Sequence, residues 1–223
     1  MTITLIVIVS VLAVFLGWLL RQSINVRPWV PAGASVPPVV DRLPAMFTTP
    51  RVGLIVFLAA ISSLFALTIS AYHGRMQMAG DWVSVPVPVL LWINSAVLVL
   101  ASIAFHISWR AAAGGEQKRL KSGLVAAGIF SIGFVLGQAM VWRTLNAEGF
   151  YLGSNPANSF FYFITALHVL HLVGGLVAWA TAMMKTLRGK DAGKVGQTVE
   201  LCAIYWHYLL FIWLVLFGLL LST

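Results

Sequence analysis

The chain has 223 residues, of which 60% are hydrophobic and only 9% charged, and its mean hydropathy is +0.94. A soluble domain carries roughly a quarter charged residues, so this composition excludes an ordinary water-soluble fold and indicates an integral membrane protein. The formal net charge of +8 does not point to nucleic acid, because the basic residues lie in the short gaps between apolar runs, where membrane topology uses them. The single cysteine, Cys202, excludes an intrachain disulfide and a CxxC metal site.

Six apolar runs are long enough to cross a bilayer as helices of about 20 residues. The first, Ile3–Leu20, has neither the basic leader nor the small-residue cleavage site of a signal peptide, and residues 1–21 are read as a retained anchor. Residues 22–50 carry six of the nine prolines and are read as an extended cytoplasmic linker. The other runs are Val52–Tyr72, Val89–Trp109, Gly123–Leu145, Ser159–Met184 and Glu200–Leu221, and they make a five-helix body over residues 51–223. The predicted fold class is therefore an all-α integral membrane protein with six transmembrane helices, one anchor plus a five-helix bundle.

Charge orients these spans. Arg21, Arg27, Arg42 and Arg51 precede the second run. Arg110, Lys118, Arg119 and Lys121 follow the third, and Lys185, Arg188, Lys190 and Lys194 follow the fifth. Only Arg75 and Arg143 lie on the other side, so the positive-inside rule places the N- and C-termini on the outer side of the membrane. Trp18, Trp82, Trp109 and Trp142 lie near span ends, where an indole suits the headgroup level. In the fourth run Gly133 and Gly137 form a GxxxG pair that permits close helix approach. No internal repeat is evident and the body has an odd helix count, both of which argue against an inverted-repeat transporter.

The chemistry-bearing residues inside the spans are few. His73 and His106 end the second and third runs on opposite sides and cannot share a ligand; each is read as an interfacial hydrogen-bonding group. The fifth run contains "ALHVLHLVGG", with His168 and His171 on one helix face, and the sixth carries Glu200 and His207, seven apart and also on one face. Ionisable groups within a span are costly and normally face protein. A metal or haem site joining these four requires them at one depth. If the fifth and sixth helices meet near Lys185 and Val199, residue 171 lies level with about residue 213; if the sixth begins near Val195, it lies level with Tyr208. The bare residues leave a ligand set and a buried polar contact both open. No dinucleotide, Walker or nucleophile-elbow motif is present.

These two spans resemble subunit III of the haem–copper oxidases, the cytochrome c oxidase subunit III family. "FFYFITALHVLHLVGGL" is similar to the family's aromatic entry followed by HxxH and glycine, with His168, His171 and Gly174 on those positions. "VELCAIYWHYLLFIWLVLF" is similar to its terminal helix, with Glu200, Tyr205, Trp206, His207 and Trp213 matching. The resemblance covers about Arg51 to Leu221. Three departures accompany it: Ile61 stands where many members carry a glutamate, Leu210 where an aspartate often follows, and a single anchor with a Pro-rich linker replaces the usual leading helices.

The resemblance implies a non-catalytic, cofactor-free subunit in which His168, His171, Glu200 and His207 are buried polar contacts. Haem and copper are then expected in partner subunits of a proton-translocating oxidoreductase complex of aerobic respiration. The implied partners are oxidase subunit I directly, subunit II, a small subunit IV and phospholipids held in a cleft between helix groups. The alternatives kept are an accessory protein of a quinol oxidase or nitric oxide reductase and, from another class, an independent bis-histidine membrane cytochrome or metal-dependent membrane enzyme.

Overall fold

The computed structural model describes residues 49–78, 80–189 and 192–222. The anchor run Ile3–Leu20 and nearly all of the Pro-rich linker lie outside the described residues. The described chain forms five helices: α1 Thr49–Met78, α2 Val89–Ala113, α3 Gln117–Ala147, α4 Pro156–Leu187 and α5 Ala192–Leu221. They coincide with the second to sixth apolar runs, and all five are long and apolar enough to cross a membrane. Each exceeds its apolar run. α3 starts six residues before Gly123 and α5 eight before Glu200, because polar residues such as Gln117 and Gln197 sustain helical hydrogen bonds as well as apolar ones do.

The ends are set by local chemistry. α4 begins at Asn155, whose side chain accepts a hydrogen bond from the Ala157 amide at 2.6 Å, with Pro156 in the first turn where no donor is needed. The same side chain donates to the Val83 carbonyl at 2.9 Å and fastens the α1–α2 connection to this end. α2 and α3 are joined by three residues, Gly114–Glu116. Gly115 takes φ +73° there, a left-handed conformation that glycine adopts without steric cost.

Helices α2 to α5 pack as a ring of four, each touching its neighbours in sequence and α5 closing on α2. α2 and α3 are the closest pair. A Cβ on Gly123 would collide with the Ser108 hydroxyl, and one on Gly137 with Asn94; at Gly133 it would touch Val97 at 3.6 Å. Small residues thus bring these two backbones together, as membrane helices require when no hydrophobic force drives their contact. α1 lies against α4 and α5 through a single stripe, Ile61, Phe65, Thr68 and Tyr72, spaced at successive helical turns.

Candidate functional site

In hydrocarbon a buried N–H finds no water, so its partner has to be supplied by the protein. Three tryptophans solve this in the same way. Trp206 of α5 donates to Ser131 Oγ of α3 at 2.9 Å, and Trp213 of α5 donates to Ser95 Oγ of α2 at 2.9 Å. Trp142 of α3 donates to Thr165 Oγ1 of α4 at 3.1 Å. Each hydroxyl spends its own proton on the carbonyl four residues earlier in its helix, leaving a lone pair for the indole. A fourth indole, Trp179 of α4, donates to the Leu124 carbonyl of α3 at 2.8 Å. These clamps tie all four helices of the ring together. Trp142, read from its place near a span end as an interfacial indole, also fastens α3 to α4, whereas Trp109 is exposed.

The four intramembrane ionisable residues go to four separate environments. His168 is fully buried, with Trp213 at 5.0 Å, Phe134 at 5.8 Å and Phe65 at 6.3 Å between ring centroids. Neither of its ring nitrogens has a hydrogen-bond partner, so rings rather than a polar contact hold it. His171 bonds back to the Leu167 carbonyl of its own helix at 2.7 Å and packs on Phe65 at 5.5 Å. Its backbone carbonyl accepts the Tyr205 hydroxyl at 2.9 Å, joining α4 to α5. Glu200 pairs with Arg51 of α1 at 2.6 Å. His207 turns to α2, where its Nδ1 lies 2.5 Å from Ser102 Oγ and its Nε2 lies 3.4 Å from His106 Nδ1.

Register explains the dispersal. Lys185 bonds Thr198 at 3.1 Å and His168 faces Trp213, so residue 171 lies level with about residue 210, between the two alignments considered from sequence. His207 is then level with Gly174, about one turn from His171, and faces a different neighbour. Glu200 and His207 share a nominal face but are two turns apart, and each meets a different helix. Among the described residues no group of three or more His, Cys, Asp or Glu side chains gathers as a metal site would require.

The remaining family positions are structural in their surroundings. Trp206 stacks obliquely on Phe105 at 4.1 Å, and Tyr205 stacks on Phe57 of α1 at 6.0 Å. Ile61 is buried in the α1 stripe. Gly174 has open space where a Cβ would stand, whereas a Cβ on Gly175 would lie 2.6 Å from the Tyr205 ring and 3.0 Å from Trp206. The close-approach glycine of "VGG" is thus the second. Its sequence signal was only that it directly follows Gly174. The His106–His207 meeting was also missed, although Ser102 and His106 stand one turn apart in the third run.

Gly174 opens onto a cleft of about 580 Å³ between α1, α4 and α5. Leu54, Phe57, Leu201 and the flat backbone at Gly174, Gly175 and Ala178 make its apolar wall, and Lys185, Gln197 and Thr198 rim the end nearer Pro50.

The described chain is thus a multi-pass membrane bundle whose polar chemistry is spent between helices and which carries an apolar cleft rimmed by Lys185. The model of the family described as cytochrome c oxidase subunit III matches residues 5–221. A probable cytochrome c oxidase subunit 3 of Mycobacterium tuberculosis is 30% identical over 170 residues, covering 74% of this chain and 84% of that one. The corresponding protein of Nocardia farcinica is 29% identical over 171 residues, covering 75% and 84%, and that of Synechocystis 27% over 173 residues, covering 74% and 72%. The chain belongs to the cytochrome c oxidase subunit III family, and its place is that of a subunit III of a haem–copper oxidase.

Proposed function

We propose that the chain serves as the non-catalytic, cofactor-free subunit III of a bacterial terminal oxidase, packed beside subunit I, which holds the haems and copper with subunit II. It supports assembly and sustained proton uptake, and it holds phospholipid in the α1–α4–α5 cleft. The observation that carries this reading is the dispersal of His168, His171, Glu200 and His207 into interhelical contacts, in a chain matched by the family model over nearly its whole length. The cleft supports the lipid role: an apolar wall fits an acyl chain, and the Lys185 ammonium at its rim suits a phosphate. The basic gaps support an orientation with both termini on the periplasmic side, an anchor over residues 1–21 and a linker over residues 22–50.

The test is affinity purification of the tagged full chain from its own membrane. The expected result is a larger haem-bearing subunit in stoichiometric amount, with phospholipid retained. A chain that purifies alone from membranes containing an active oxidase would refute the reading.

A further inference from the structure

The seam between α2 and α5 holds a polar string that faces outward. Ser102 Oγ and His207 Nδ1 share a hydrogen bond, and His207 Nε2 reaches His106 Nδ1. His207 is exposed and His106 half-buried, and no described residue accepts or donates at His106 Nε2. Around them the outward faces are apolar, with Ile103, Ile107 and Phe211 each at least 39% exposed. Arg110, one turn beyond His106, is exposed and has no ion-pair partner among the described residues.

This string lies within the span. His106 is seven residues from the end of α2 at Ala113, about 10 Å at 1.5 Å per residue. Centred on a hydrocarbon layer of about 30 Å, the 25-residue helix exceeds it by only a few ångströms at each end, which puts the imidazole about 7 Å inside that layer, deeper than the interfacial position read from its place in the run. Lipid tails offer His106 no partner, and polar side chains at that depth normally face protein.

We infer that the α2–α5 seam is a docking edge for a transmembrane segment of a neighbouring oxidase subunit that carries a carboxylate side chain level with His106. This rests on the proposed function above. The chemistry selects the occupant. Backbone carbonyls of a passing helix are already satisfied within that helix, so the acceptor has to be a side chain. With the Ser102 hydroxyl donating to His207 Nδ1 and His207 Nε2 donating in turn to His106 Nδ1, the His106 proton sits on Nε2, where a carboxylate accepts it and also complements Arg110. The nearest acidic residue along the chain, Glu116, is engaged with Arg119 at 3.5 Å. A lipid phosphate would have to descend about 7 Å below the headgroup level to reach the same nitrogen. The apolar run Ile3–Leu20 contains no acidic side chain.

The experiment uses the full chain in the membrane-extracted complex, with a photo-crosslinking residue at Ile103. The expected product is a peptide from another subunit with Asp or Glu within one helical turn of the attachment point. Attachment to phospholipid alone, or to a second copy of this chain, would overturn the inference. In parallel, His106→Leu and His207→Leu should each lower retention of the chain in the solubilised complex roughly 5- to 10-fold relative to Leu136→Ala, at an exposed position on α3, while His207→Gln keeps most of it. Leucine variants retained like the wild type would also overturn it. If the wild-type chain brings down no haem-bearing subunit, the proposed function fails together with this inference. If it does and the variants are indistinguishable, only the docking edge fails.

Discussion

The ring α2–α5 and the helix α1 are both membrane spans, yet they are attached by different means. Half of the most apolar window of α5 is buried inside the protein, against 17% for α1. The ring is held from within by indole-to-hydroxyl clamps and glycine contacts between neighbours. α1 is held by one stripe and by fastenings along α5, namely Arg51 to Glu200 at 2.6 Å and Ser62 to Tyr208 at 2.7 Å. In a bilayer, where apolar burial drives little helix association, the clamps join four helices to one another, whereas α1 depends on its stripe and a few side-chain fastenings. The cleft lies where α1 meets α4 and α5, outside the contacts that close the ring.

Removing the largest clamp should break the contrast most severely. Trp206 is fully buried, and Trp206→Ala is expected to destabilise the ring by about 3–5 kcal/mol, read as lost thermal stability of the whole chain in detergent. The neighbouring glycines then sharpen it. Gly175→Ala drives a methyl into Tyr205 and Trp206 and should cost about 1–3 kcal/mol, whereas Gly174→Ala, facing the cleft, should shift thermal unfolding by less than about 0.5 kcal/mol. Equal effects from the two would contradict the packing described. Ser131→Ala keeps the indole and removes its acceptor, and about 1–3 kcal/mol of destabilisation is expected from the orphaned N–H. Combined with Trp206→Phe it should cost less than the sum of the two.

The smallest effect belongs to α1. Arg51 and Glu200 are 30% and 21% exposed, so Glu200→Gln should cost about 1 kcal/mol or less. It should appear as faster amide exchange confined to the first turns of α1, with α2–α5 unchanged. Global unfolding at that single substitution would show that α1 is integral to the ring.

The five described spans were legible because long apolar runs report directly on the bilayer. Their ends were not, since helical hydrogen bonds continue into polar turns such as Gln117–Ser122 that apolarity does not mark. Gly133 and Gly137, read as a GxxxG, lie on the face of α3 that meets Val97 and Asn94 of α2. The placement of His168 and His171 on one helix was equally readable, but their neighbours depend on register across α4 and α5, which a loop of unknown closure leaves undetermined. The same limit hid the meeting of His106 and His207. The fifth and sixth runs are consecutive in the chain, whereas α5 also closes on α2, a helix far from it in sequence. Ile61, noted for the carboxylate it lacks, fills the α1 stripe with apolar volume instead.

The central claim is that the histidines of this chain build an interhelical framework and hold no redox centre. The most direct measurement is the absorption spectrum and metal content of the chain after it is dissociated from its copurifying complex. The account expects all haem and copper to remain with the larger subunits, with no haem band and no stoichiometric metal on the separated chain. A haem band or one metal per chain, abolished by replacing His168 or His171, would contradict it.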